Sequence, residues 1–139
     1  MPCQPGRSSM LRCASRMLPL MAATLLAACS SSTGVKSSDN NLASLTVSVG
    51  ALTPAFSAAA TSYGDAVLRA TTSITFTATA SSSKATILII GTQDTSPSSY
   101  SSGSVSPPQT LTVGFNLISI NVFAEDGSVR TYVITVARS

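Results

Sequence analysis

LISINVFAEDGSVRTYVITVAR, residues 117–138, alternates apolar and polar side chains on both sides of a short turn. Ile118, Ile120, Val122 and Ala124 share one face of the first run, against Ser119, Asn121 and Phe123. Tyr132, Ile134 and Val136 form the corresponding set of the second run, against Thr131, Val133 and Thr135. A repeat of two is the period of a half-buried strand, because successive side chains point to opposite faces of a sheet. Asp126-Gly127 between the runs is a hairpin signal, since glycine takes the positive φ that such a turn demands. The stretch therefore predicts two antiparallel strands, with Glu125 and Asp126 as turn residues.

The same period recurs upstream. LTVSV places Leu45, Val47 and Val49 inward, and SITFTATA does so with Ile74, Phe76, Ala78 and Ala80. ATILII is apolar on both sides, as expected of a more central strand. Short strands at this spacing, separated by turn residues, predict an all-β sandwich or barrel. Ser and Thr supply 39 of the 111 residues from Cys29 onward. Threonine is β-branched and suits the solvent side of a strand, which accounts for that abundance without a dedicated ligand site.

The net charge of +3 belongs to the beginning of the chain, where Arg7, Arg12 and Arg16 all precede Cys29. After Cys29, Lys36, Arg69, Lys84, Arg130 and Arg138 balance Asp39, Asp65, Asp94, Glu125 and Asp126. No basic stripe is left to follow a phosphate backbone, which excludes nucleic acid as a partner. The chain has no histidine. Its few acids are scattered over turns and strand ends, so no pair is available for general acid and base work. Ser83 and Lys84 are adjacent and would point to opposite faces of a strand, which rules out a nucleophile and base pair. No glycine-rich loop leads from a strand into a helix, and no metal set or cofactor site is expected.

Residues 1–28 have the layout of an export signal: arginines, an apolar run from Met17 to Leu26, then Ala27 and Ala28. The apolar run is shorter than the roughly 20 residues a membrane-spanning helix requires. Leu26-Ala27-Ala28-Cys29 resembles the lipobox of bacterial lipoproteins. That resemblance implies cleavage before Cys29, with Leu26, Ala27 and Ala28 read by the peptidase, and attachment of diacylglycerol to the Cys29 thiol. Cys3 and Cys13 would leave with the leader, so no cysteine remains for a disulfide. Ser30 after the cysteine, in place of aspartate, implies outer-membrane sorting in a host with two membranes. Residues 29–41 then read as a lipidated cysteine and a flexible Ser-rich tether, with the folded domain beginning at Leu42.

The domain itself, residues 42–138, resembles the cadherin-like β-sandwich of bacterial exported proteins. LASLTVSVGALTPAFSAAATSY carries the opening of that pattern, with two leucines three apart, a glycine turn, then Leu52, Pro54, Phe56 and Tyr63. LTVGFNLISINVFAEDGSVRTYVITVAR carries its close, with Val113-Gly114, Asn116, the Glu125-Asp126-Gly127 turn, Tyr132 and Arg138. The resemblance implies a Greek-key, immunoglobulin-like antiparallel sandwich of about seven strands. Asp65 departs from it by standing where an apolar strand residue is usual, which places this strand at a sheet edge or makes it short. TQDTSPSSYSSGSVSPPQ, residues 92–109, reads as a long Ser/Pro-rich connection of low order.

These readings converge on a non-catalytic module anchored by lipid in the cell envelope, monomeric, with a protein or glycan as partner. Phe56, Tyr63, Phe76 and Tyr132 fall on core or corner positions of the family pattern, leaving Phe115, Phe123 and Tyr100 for exposure. Tyr100 and Phe123 are the candidate contact residues. The alternative is an envelope inhibitor or small-ligand binder acting through residues 92–109 or the loops beside Asp65. Converging polar groups in a pocket would favour that alternative.

Overall fold

The computed structural model describes residues 34–93 and 97–139. Leu26, Ala27, Ala28 and Cys29 lie outside the described residues. Lys36–Ser139 forms one compact unit, and no described residue is helical. Its strands are β1 (Leu42–Val47), β2 (Ser62–Val67), β3 (Ser73–Ile74), β4 (Phe76–Ala80), β5 (Thr86–Ile90), β6 (Ser98–Tyr100), β7 (Gln109–Thr110), β8 (Gly114–Phe123) and β9 (Val129–Arg138).

The molecule is an all-β sandwich. One layer has the strand order β2-β9-β8-β5-β6. In the other, β1 pairs with β4 and β3 with β7. Strands β3 and β4 are one extended stretch interrupted at Thr75, whose carbonyl accepts the Ser48 N–H at 3.0 Å on the β1 side. On its far side the stretch is bonded from Thr72 to Ala80: Leu111 N–H to the Thr72 carbonyl, Ser106 N–H to Phe76, Gly103 N–H to Ala78. The second layer is therefore effectively three-stranded.

The hairpin that opened the sequence forms as its alternation predicts. β8 and β9 pair antiparallel along their whole length, from Gly114 opposite Arg138 to Phe123 opposite Val129. Gly127 turns the chain at a φ of 91°. Ile118, Ile120, Val122, Tyr132, Ile134 and Val136 are buried, and they meet Ile74, Phe76 and Ala78 from the opposite layer in one core. Each aliphatic side chain so buried contributes about 1.5–3 kcal/mol, with no disulfide in the unit to add to it.

Leu45 is buried as its alternation predicts, and Leu42, three residues earlier, is buried too because a bulge between Leu42 and Ser44 shifts the register. Other expectations are corrected. Val49, expected inward, is 43% exposed, because β1 ends at Val47 and the chain turns at Gly50. ATILII takes the interior position expected of it, with β5 between β8 and β6, but its outer side is partly open: Ile87 and Ile89 face the core, whereas Leu88 and Ile90 lie half-buried on the outer face. β2 sits at an edge, as the oddity of Asp65 suggested, but it runs six residues and pairs parallel with β9. The chain reaches this parallel position by crossing from one layer to the other over residues 48–61.

The Ser/Pro-rich connection is ordered over its described residues. It forms β6, then runs along β4, where the hydroxyls of Ser102 and Ser106 accept the N–H groups of Ala80 and Phe76 at 2.8 and 3.0 Å. Its serines act as backbone partners of a strand edge, which composition alone does not reveal. The tether, expected to run free to residue 41, is docked from Ser37 onward. Asp126 N–H donates to the Ser37 carbonyl at 3.1 Å, and Ser81 N–H to that of Asn41 at 2.9 Å.

Candidate functional site

Strand parity decides which residues the five-stranded layer turns outward. Along β8 these are Phe115, Leu117, Ser119, Asn121 and Phe123, opposite Ala137, Thr135, Val133, Thr131 and Val129 of β9. β5 adds Ile90, Leu88 and Thr86, facing Ser119, Asn121 and Phe123. β2 adds Ser62, Gly64 and Ala66 beyond β9, and β6 adds Ser99 beyond Leu88. No side chain on this face is charged. The charged residues of β9, Arg130 and Arg138, have the parity of buried Tyr132 and so belong to the other side of the strand.

Apolar exposure is concentrated at the two ends of this face. Phe115 is 80% exposed and Leu117 52%. Leu68 and Val113, also exposed, lie in the loops at the Phe115 end. At the opposite end Phe123 and Val129 are partly exposed as a cross-strand pair. Between the ends lie Ser119, Asn121, Thr131 and Thr135, and the Thr131 hydroxyl donates to Asn121 Oδ1 at 2.6 Å. Half-buried Val133, Leu88 and Ile90 lie among these polar groups, so the face is mixed in the middle and apolar at each end.

The Phe115 end is held rigid from behind. Asn116, fully buried, accepts the Thr112 N–H and hydroxyl on its Oδ1 at 2.8 and 3.0 Å. Its Nδ2 donates to the carbonyls of Thr112, Gly114 and Val136. The Arg138 guanidinium donates to the carbonyls of Arg69 and Leu111, tying the neighbouring loops to the end of β9. Thr92 extends the sheet beyond β5, its hydroxyl bonded to both the N–H and the carbonyl of Leu117. Phe115 therefore projects from a fixed backbone.

Of the two candidate contact residues, Phe123 lies on this outer face. Tyr100 has inner parity opposite Ile87, and it is half-buried against the core. Phe115, the most exposed aromatic side chain, carries a plain sequence signal: the alternation that buries Ile118 and Ile120 turns residue 115 outward.

The loops beside Asp65 have a different character. Asp65 is buried at the inner side of β2, and its Oδ1 accepts the Ala51 N–H at 2.9 Å. Its Oδ2 has no hydrogen-bond partner. The carboxyl group lies directly over the Gly50 backbone, where a side-chain carbon would collide with it. Beside β1 an open groove of about 290 Å³ is lined by Leu45, Thr46, Val47, Leu52, Ala55 and Phe56. Its lining offers one hydroxyl and no charge, so no polar groups converge there. Tyr63 closes the neighbouring corner, its hydroxyl 2.6 Å from the Ser57 carbonyl oxygen and its ring stacked with Phe56.

At the Phe123 end the entering chain is fastened by polar contacts. Asp39 Oδ1 accepts the Asn41 N–H, and that bond, helped by the Ser81 hydroxyl, holds the carboxyl below its usual range. The Ser128 hydroxyl and N–H do the same for Asp126 in the hairpin turn. Among the described residues no three His, Cys, Asp or Glu side chains gather, and no helix is long and apolar enough to cross a membrane.

Comparison with known proteins agrees with this geometry. The family described as "Cadherin-like beta sandwich domain" matches residues 42–139. Over 102 residues the chain is 37% identical to a "Putative membrane protein" of Evansella cellulosilytica. The alignment covers 73% of this chain and 14% of that relative, so the chain spans a small part of the relative's length.

Proposed function

The chain belongs to the cadherin-like β-sandwich family, and on that premise we propose a non-catalytic envelope module, held by lipid on Cys29, that makes protein contact through its five-stranded sheet. The observation that carries this reading is the uncharged outer face with Phe115 standing 80% exposed on a rigid backbone. The cluster of exposed apolar side chains at one end of the sheet, Phe115 and Leu117 with Leu68 and Val113 in the adjoining loops, is the kind of patch that marks a contact surface. The membrane setting is supported by the lipobox pattern and by the name of the relative, a membrane protein.

The direction of the strands supports the arrangement. The entering chain is bonded to the hairpin at the Phe123 end, through Ser37, Glu125 and Asp126. Phe115 lies at the other end of β8, about 27 Å away for eight strand residues. The chain therefore enters the domain at the end opposite Phe115.

The test is a photo-crosslinking residue in place of Phe115 in the full chain, compared with the same residue in place of exposed Lys84. The reading predicts discrete protein adducts in whole cells from position 115 and none of comparable yield from position 84. Equal adduct patterns from the two positions would refute it.

A further inference from the structure

We infer that residues 37–40 form a latch, which leaves the hairpin turn as one unit while the sandwich stays folded and so passes four residues into the tether. Ser37, Ser38, Asp39 and Asn40 carry no apolar side chain, and they are held to the domain by hydrogen bonds. The Ser37 N–H donates to Glu125 Oε2 at 3.3 Å, and its carbonyl accepts the Asp126 N–H at 3.1 Å. The Ser128 hydroxyl donates to the Ser38 carbonyl at 3.4 Å and accepts from Asn40 Nδ2 at 3.3 Å. Arg130 Nε donates to Asn40 Oδ1 at 3.4 Å, and the Asp39 carboxylate takes the Ser81 hydroxyl. Among the described residues, no side chain before Leu42 belongs to the core.

The bond lengths mark where the latch ends. From Ser37 to Asn40 the bonds to the hairpin lie at or beyond the long end of the usual N–H···O range. At the next two residues they are ordinary: the Asn41 carbonyl accepts the Ser81 N–H at 2.9 Å, and the Leu42 N–H donates to the Tyr132 hydroxyl at 3.0 Å. The family match also begins at residue 42, so the segment is an addition to the shared domain. A segment held by a few solvent-facing hydrogen bonds, with no buried apolar area, opens locally and well before the fold does. Opening adds about 13 Å to the extended reach of the tether. With the anchor at Cys29 the free span becomes residues 29–40 in place of residues 29–36. That gain in reach rests on the lipid reading above, whereas the latch itself does not.

The test is site-resolved amide exchange on the full chain in detergent micelles, with and without Asn40→Ala, which removes the side-chain bonds to Ser128 and Arg130. The Asp126 N–H is bonded to Ser37, three residues from the substitution, and should exchange roughly tenfold faster. The Gly127 N–H, bonded to the Ala124 carbonyl within the turn, should keep its rate, as should Ile118 and Ile120 in β8. Unchanged exchange at Asp126 would overturn the latch, because its bonds would then open independently. Equal acceleration at Gly127 would assign the effect to a loosened turn, and equal acceleration at Ile118 and Ile120 would make the segment part of the cooperative fold; either overturns it. The same comparison on a Cys29→Ala background should give the same acceleration at Asp126, and its loss there would overturn the local origin of the opening. Lipid labelling that survives Cys29→Ala would refute the anchor and the gain in reach, and leave the latch standing on the exchange result.

Discussion

The hydroxyl of Tyr132, in the last strand, accepts the backbone N–H of Leu42, the first residue of the first strand, at 3.0 Å. Both residues are fully buried. The bond joins the two layers at the end where the chain enters, and it gives a buried partner to an N–H of a strand that pairs only with β4. Tyr132→Phe keeps the ring and orphans that donor, so it should destabilise the fold by about 1–3 kcal/mol. Urea unfolding of the two forms measures this, and equal midpoints would show that the N–H finds another partner.

Gly50 and Asp65 form a second coupled pair. Gly50 has a φ of 84°, and a side-chain carbon there would strike the Asp65 carboxyl group. Gly50→Ala should therefore cost more than the about 1–2 kcal/mol of the left-handed backbone alone. Combining it with Asp65→Ala removes the collision, so the double variant should be less destabilised than the sum, by about 0.5–3 kcal/mol. Strict additivity in thermal or urea unfolding would contradict the contact.

Much of the fold was legible because its signal is local. The inner sets of β4, β8 and β9 follow from alternation, and Gly127 from the turn chemistry that Asp126-Gly127 announces. What was hidden is tertiary. The bulge that buries both Leu42 and Leu45 breaks period two, and a strand pattern cannot show which layer a strand such as β2 joins. Residues 101–106 look like slack by composition, yet Ser102 and Ser106 bond a strand edge through their hydroxyls. Ser37, Asn40 and Asn41 likewise have the composition of a tether and become docked because the hairpin offers partners to the first two and the Ser81 N–H after β4 to the third. At the site, the parity that exposes Phe115 was present in the sequence. The absence of charge across neighbouring strands emerges only when their register is known.

The docked segment is expected to respond to acid. The Asp39 carboxyl is held below its usual range by the Asn41 N–H and the Ser81 hydroxyl. A lowered folded-state value means that the stabilisation is fully present above the ordinary carboxylate range near 4, and is lost as pH falls through the folded value. Protection of the Asn41 amide against exchange should therefore begin to fall below about pH 4 and be lost as pH drops through the lower folded-state value. Asp39→Asn should flatten that dependence, and unchanged acid sensitivity in this variant would assign the effect elsewhere.

The anchor is tested at one atom. Cys29→Ala removes the thiol that would carry the lipid, so it should abolish incorporation of an alkyne-labelled fatty acid and move the chain out of the membrane fraction. Label and fractionation unchanged by the substitution would overturn the lipobox reading. Attachment of one chain gives marginal membrane affinity, and two or three chains hold firmly, so salt-resistant retention of the unsubstituted protein is expected.

The central claim is that the uncharged face of the five-stranded sheet is covered in the envelope. Hydroxyl-radical footprinting reads this directly, by comparing membranes that carry the intact protein with the same protein dispersed at high dilution in detergent. The account predicts that Phe115, Leu117 and Phe123 are protected on the membrane and modified after dispersal, whereas Val105, exposed in the other layer, is modified in both. Equal modification of Phe115 in the two states would contradict it.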